Sequence, residues 1–391
     1  MTSITQMSRK TPLRRAGVAP GRIGGFTLIE LMVGVVVGLL ATLVISNVLS
    51  VAESQRRSST SGSDAQVNGG LAIYALQRQL KMAGYGLSTE GNTLGCTLQA
   101  HYKGAGAPAS MPATLAPVLI TAGGSGAPDT LRILSSSKTS FALPVSVTGA
   151  YDPDVPANAN RFLVATTLGA VQGDLMALVY GVDQPCQVFQ VSADPTVAGR
   201  IDRVDGGDWN DAKFPSTALA ANSGTFLVNL GALNDITFSL TADYKLRQTT
   251  AQLATQTSTS QDLQSNIVSL RAFYGKDTDG DDTVDTFDTT TPANNAGWLQ
   301  VRAVRVAVLA RSAHYEKDEV TTAMPLWDVG TFASVTGSVA CGSSKCIELK
   351  ADVTSDWKHY RYKVFDVLVP LRNQLWRADF VAGTASTPAS N

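Results

Sequence analysis

From Gly24 to Val51 the chain carries a single charged residue, Glu30, set at the start of an apolar run that begins at Phe26. Wound as a helix, Phe26 to Val51 would extend roughly 39 Å, against a hydrocarbon core of about 30 Å, so it can cross a bilayer with some tilt or overhang. A carboxylate inside such a span is expensive, and one that is retained is a functional candidate whose partner has to be named. An amine is the natural partner. If the chain is cut after Gly25, the freed α-amino group of Phe26 can neutralise Glu30 of a neighbouring copy within an apolar assembly.

The residues ahead of the run include Lys10, Arg14, Arg15 and Arg22 and no acid, which holds that end in the cytoplasm and places the bulk of the chain outside. An ordinary secretory signal competes, because Ser50-Val51-Ala52 is an acceptable small-x-small cleavage site. Secretory apolar cores run about 7 to 15 residues, however, and this one is longer and opens on a carboxylate. A plain membrane anchor explains the length but neither Glu30 nor the Gly-Gly-Phe junction. Gly34 and Gly38 form a G-x-x-x-G pair that would let another helix approach closely.

The Gly25-Phe26 junction, the Phe-Thr-Leu-Ile-Glu start and the apolar helix behind it resemble the type III signal of type IV pilins. The resemblance implies that a prepilin peptidase cuts after Gly25 and methylates the amine of Phe26, and that the mature subunit waits in the inner membrane before joining a filament. Three further segments resemble PilW-like minor pilins: Leu76 to Tyr85 (Leu-Gln-Arg-Gln-Leu-Lys-Met-Ala-Gly-Tyr), Val301 to Ser312, and His359 to Asn373.

At 391 residues with a net charge of −1, the chain offers no electrostatic case for binding nucleic acid. Charged residues make up only 16%, which suits an exported, loop-rich β protein. Cys96, Cys186, Cys341 and Cys346 all lie on the exported side, where disulfides are the default. Three pairings are possible. The turn Gly342-Ser343-Ser344 favours Cys341 with Cys346, which leaves Cys96 with Cys186. A zinc site built from cysteines with His314 or His359 is the sharper alternative, but no C-x-x-C or H-x-x-x-H spacing supports it.

Past the apolar run, Ser58 to Gly70 breaks the pattern and reads as a hinge or loosened helix. Ile73, Leu76, Leu80 and Ala83 then recur at helical spacing, opposite Gln77, Arg78 and Lys81, and predict an amphipathic helix that packs on a sheet and stops near Gly84 or Gly86. Strands are expected at Thr130 to Leu134, Leu143 to Val147, Arg161 to Thr166, Leu175 to Tyr180, Gln187 to Val191, Thr225 to Leu230, Ile236 to Leu240, Ile267 to Tyr274, Trp298 to Arg311 and His359 to Val369. The continuity of the Trp298 strand implies burial on both faces. Gln248 to Gln261, rich in Thr, Gln and Ser, reads as a surface loop or linker.

One segment has ligand-like spacing. Asp277, Asp279, Asp281, Asp285 and Asp288 occupy positions 1, 3, 5, 9 and 12 of a loop that could wrap a structural Ca²⁺. Position 6 is Asp282 where the EF-hand pattern wants Gly, and position 12 is Asp where it wants Glu. The competing reading is an acidic, solvated hairpin loop in which Asp and Gly serve turn geometry. Catalytic signals are absent: His101, His314 and His359 are scattered, and there is no G-x-S-x-G elbow, P-loop or dinucleotide fingerprint.

The sequence therefore predicts an α+β protein that is not an enzyme. A leader occupies 1–25, a membrane-spanning assembly helix 26–51, a hinge and amphipathic helix 52–86, a β-rich periplasmic pilin-like head 87–377, and a disordered tail 378–391. The resemblance implies a minor pilin of the initiation or tip complex of a type IV pilus, anchored in the inner membrane until it enters the pilus. Its partners would be other minor pilins, the major pilin, the prepilin peptidase, the assembly platform and a tip adhesin. The alternatives are a J-type pseudopilin of a type II secretion system or a membrane-tethered exported adhesin.

Overall fold

The structure is a computed structural model that describes residues 25–87, 91–139, 142–195, 199–211, 213–331 and 334–375. The expected leader up to Gly24 and the expected tail from 378 lie outside the described residues. The chain divides into two compact units, one ending at Arg57 and the other beginning at Ser58.

A single helix, α1 (Leu28–Leu80), contributes to both units. Its start is capped: Thr27 Oγ1 accepts a hydrogen bond from the Glu30 N–H at 3.3 Å, and Thr27 O accepts one from Leu31 N–H. Thr followed three residues later by Glu is a capping-box pattern. In the first unit the helix is uncovered, every residue from Gly25 to Glu53 being exposed. Ser58 to Gly70, expected as a hinge, is continuous helix. Two of its small residues, Ala65 and Gly69, serve packing. Gly69 is buried, and a Cβ there would sit 2.1 Å from the Phe365 ring, so only glycine admits this approach. Ala65, Gly69, Ala72, Leu76, Leu80 and Ala83 form the buried stripe, and Gly84, in the left-handed region at φ +74°, follows the last turn.

The strands that follow are β1 (Leu98–Ala100), β2 (Val118–Thr121), β3 (Thr130–Ser135), β4 (Val145–Ser146), β5 (Arg161–Leu163), β6 (Leu175–Val179), β7 (Cys186–Gln190) and β8 (Arg200–Asp202). Next come β9 (Phe226–Gly231), β10 (Asn234–Leu240), β11 (Lys245–Gln252), β12 (Thr257–Ser265), β13 (Ile267–Lys276), β14 (Thr286–Asp288) and β15 (Val301–Arg311). The last are β16 (Leu326–Gly330), β17 (Ser334–Val335), β18 (Val339–Cys341), β19 (Ser344–Glu348) and β20 (Tyr362–Pro370). Two short helices, α2 (Asn295–Leu299) and α3 (Arg372–Leu375), also occur among the described residues.

Three five-stranded sheets dominate, in the orders β1-β7-β6-β9-β4, β12-β11-β10-β3-β2 and β17-β14-β13-β15-β20. The third receives α1. Val304, Val306, Val308 and Ala310 of β15 share a core with Ala72, Leu76 and Leu80 of the helix, whereas Ala307 and Leu309 join a second core with Trp327, Val329 and Ile347. β15 is thus buried on both faces, as its apolar continuity requires. Trp298, expected within that strand, instead sits in α2, whose first turn is capped by the Asn294 side chain accepting from Gly297 N–H.

The second and third sheets are tied through polar groups. Tyr274 on β13 accepts a hydrogen bond from Ile120 N–H of β2 at 2.7 Å. Asp129 accepts from Gly123 and Ala272 N–H and pairs with Arg271 at 3.2 Å. Burial pushes the Asp129 carboxyl above its ordinary value, a cost that these bonds oppose.

One region differs outright from expectation. Gln248 to Gln261 is not a loop: it lies within the β11–β12 hairpin, paired from Lys245↔Ser265 to Gln252↔Thr257. Its sequence lacks an apolar stripe because both strands are largely exposed or half-buried. Thr pairs and hydrogen bonds such as Thr249–Ser260 at 2.8 Å hold the ladder where hydrophobic alternation would normally announce it.

Candidate functional sites

The first site is the start of α1. Gly25, Phe26 and Thr27 precede the helix in non-helical conformation, Phe26 is 82% exposed, and nothing lies within 4 Å of a Cβ built on Gly25. The peptide bond between Gly25 and Phe26 is therefore sterically open. Glu30, in the first turn, is also exposed. The capping role of Thr27 went unread in the sequence, although its signal, Thr-x-x-Glu before an apolar run, was present. Leu28–Glu53 is a candidate membrane span by length and composition. Cβ atoms built on Gly34 and Gly38 meet nothing within 4 Å, so that face stands clear for another helix.

The second site is the acidic loop between β13 and β14. Of the five expected ligands, Asp277, Asp279 and Asp285 come together, with one oxygen of each within 4.8 Å of the others. Asp281 and Asp288 do not join them. Asp281 accepts from Thr283 N–H and Oγ1–H, bonds that hold its carboxyl below the usual range. Asp288 lies on β14 and takes the Lys276 ammonium at 2.8 and 2.9 Å. Held at the end of a strand paired to β13, it does not turn back to close the loop at position 12.

Asp277 is nearly fully buried and is already committed. It accepts from Gly280 and Asp282 N–H and from Arg302 Nε and Nη2 at 3.1 and 2.9 Å. Arg302 also reaches Asp282 at 2.8 Å. Asp282 itself adopts φ +67°, the left-handed conformation that the glycine of the EF-hand pattern would supply at this position. Asp285 accepts from Thr278 N–H and Oγ1–H, which holds it below the usual carboxylate range. At position 6 the backbone thus turns as the EF-hand pattern requires. Three converging carboxylates are fewer than the six to eight oxygens that Ca²⁺ takes, and a cation here would share Asp277 with a guanidinium.

The cysteines form two disulfides, Cys96–Cys186 and Cys341–Cys346. The first ties the approach to β1 onto the first residue of β7, its parallel neighbour. The second closes the tight β18–β19 hairpin, where Gly342 takes φ +66°. With every cysteine oxidised, no thiolate remains for the zinc alternative. His359 stacks on Tyr315 at 4.6 Å and its Nδ1 meets Glu316 O at 2.9 Å, a packing role. His101 stacks on Phe214 and pairs with Asp211.

A family model described as PilW, Type IV Pilus-assembly protein W, matches residues 236–373. Neither a curated protein nor a solved structure matches the chain. The matched stretch takes in β10 to β20, the acidic loop and the second disulfide; it leaves out α1. Over that stretch the chain is similar to a family of type IV pilus assembly, and it carries a candidate membrane span and a β-rich body besides.

Proposed function

We propose that the chain is a minor pilin that is cut between Gly25 and Phe26, held in the inner membrane by its apolar helix, and drawn into a pilus by helix-to-helix docking. The uncovered apolar segment Leu28–Glu53, with Glu30 in its first turn, carries this reading. A helix that is apolar all round has no stable place in water. It needs lipid first and then other helices.

Cleavage at the open Gly25-Phe26 bond converts an amide nitrogen into a cationic amine. Taken into an assembly, that amine and Glu30 of a neighbour form a pair that neither could leave unmade, because breaking a buried ion pair costs about 3–5 kcal/mol. The pairing fixes axial register, while Gly34 and Gly38 admit close helix contact. The head then presents its surface to other pilus components in the initiation or tip complex. No step requires chemistry by this chain, and the motor belongs to the assembly machinery.

The test has two arms. The N-terminal residue of the protein recovered from membranes and from sheared pili should be Phe26, and an N-terminus near Glu53 would sink the proposal. Glu30→Leu should still insert and be processed yet be missing from pili.

A further inference from the structure

We infer that the outer edge of β12 is a strand-pairing site for a second copy of this chain, the two β12 strands running antiparallel about a dyad at Thr259.

β12 terminates its sheet, so alternate N–H and C=O groups along its nine residues point away from β11, and no described strand pairs with them. Unpaired edges recruit other strands, and proteins blunt them with charges, proline, bulges or brevity. Most edges in the body are blunted by brevity: β1, β2, β4 and β17 have two to four residues each. The other nine-residue edge, β20, carries Lys363, Asp366 and Pro370, and its Phe365 packs against Gly69 of α1.

β12 has none of these guards over Thr257-Ser258-Thr259-Ser260-Gln261, all exposed and all uncharged. Its one irregularity, a register shift opposite Leu246/Arg247, lies at the far end. Its one charge, Asp262, is engaged within the hairpin by Arg247 at 2.7 Å and Lys245 at 3.5 Å. The run is polar yet built from residues that suit a strand, which keeps it soluble while leaving it able to pair.

The sequence also names the partner. Turned antiparallel about Thr259, the strand sets Thr259 against its own copy, Ser258 against Ser260, and Thr257 against Gln261. Every cross-strand pair over this run is then hydroxyl with hydroxyl or amide, and no like charges meet. A two-fold pairing of this kind is self-complementary and closes. The interface is small, so association should be weak and strongly concentration-dependent, and confinement of the full-length chain to a membrane would favour it. This inference does not depend on the pilus reading.

Register-resolved crosslinking of the full-length protein in detergent micelles tests it. Under mild oxidation Thr259→Cys should give a disulfide homodimer at roughly ten times the rate of Ala221→Cys, an exposed loop control, because only dyad-facing positions come within disulfide reach. Ser258→Cys and Ser260→Cys should each self-link slowly and link quickly when mixed. Thr259→Lys should keep the thermal midpoint of the parent and lose the dimer in sedimentation. The proposal is overturned by a Thr259→Cys rate no higher than that of Ala221→Cys, by adducts with a different protein and no homodimer, or by a dimer that survives Thr259→Lys.

Discussion

The two halves of α1 share one helical backbone and face opposite requirements. In the first, Leu31, Leu39, Leu40, Leu43, Val44 and Ile45 are all exposed, with apolar side chains on every side. In the second, Ala65, Ala72, Leu76 and Leu80 are buried while Tyr74 and Arg78 on other faces remain exposed. The difference is one of angular distribution rather than helical propensity. A stripe of apolar residues can be satisfied by one sheet, whereas an apolar surface all round needs a solvent of its own kind. The same contrast explains the glycines: Gly69 meets a ring at once, while Gly34 and Gly38 have no neighbour in their unit.

Four measurements would separate the roles of the two halves. Leu76→Ala, at a fully buried position of the second half, should cost about 2–5 kcal/mol of body stability by loss of burial and creation of a cavity. Chemical denaturation followed by tryptophan fluorescence would measure it, and a negligible cost would mean that the second half is not seated on the sheet. Gly69→Ala comes next. It gains up to about 1 kcal/mol of helix propensity but drives a methyl into Phe365, an overpacking cost of about 1–3 kcal/mol. In a Phe365→Ala background the same glycine change should no longer cost stability, and an equal loss in that background would refute the contact.

The third is a pH effect confined to the body. Burial pushes Tyr151 and Tyr362 from an ordinary 10.0 up to about 12, and the Tyr151 hydroxyl donates to Pro215 O at 2.7 Å. A folded-state value raised above the unfolded one means that the protonated form contributes stability in full below pH 10, and that this contribution is lost as pH rises from 10 toward 12. Absorbance at the tyrosinate band should show these phenols ionising together with unfolding, and Tyr151→Phe should flatten part of the alkaline loss. The smallest effect is expected for Leu40→Ala in the first half, which should leave the denaturation midpoint of the body unmoved. A shift there would show that the first half contributes to body stability.

Legibility followed burial. Most strands from Thr130 to Leu240 were readable because they place residues in a core, as in β6, where all five are buried, whereas β8, with Ile201 alone buried, was not. β15 was readable for the same reason. The β11–β12 hairpin was not, since its ladder is held by Thr and Ser groups that satisfy each other across strands and leave no hydrophobic period. The β16-β19-β18 sheet also escaped, its strands being short and its register set by pairing and a disulfide rather than by pattern. In the acidic loop the turn was legible from Asp and Gly. The division of labour was not, because Arg302 and Lys276, which claim Asp277 and Asp288, reach them only through the pairing of β13 with β14 and β15.

Local chemistry was enough to determine the apolar helix, its acidic start, the amphipathic continuation and most of the buried strands, because each is a pattern within one segment. Tertiary structure alone decided which carboxylates converge, why a helix accepts Gly69, and which strand is left with an open edge. Those outcomes depend on what arrives from elsewhere in the chain, and proximity between distant segments is not written in the periodicity of either.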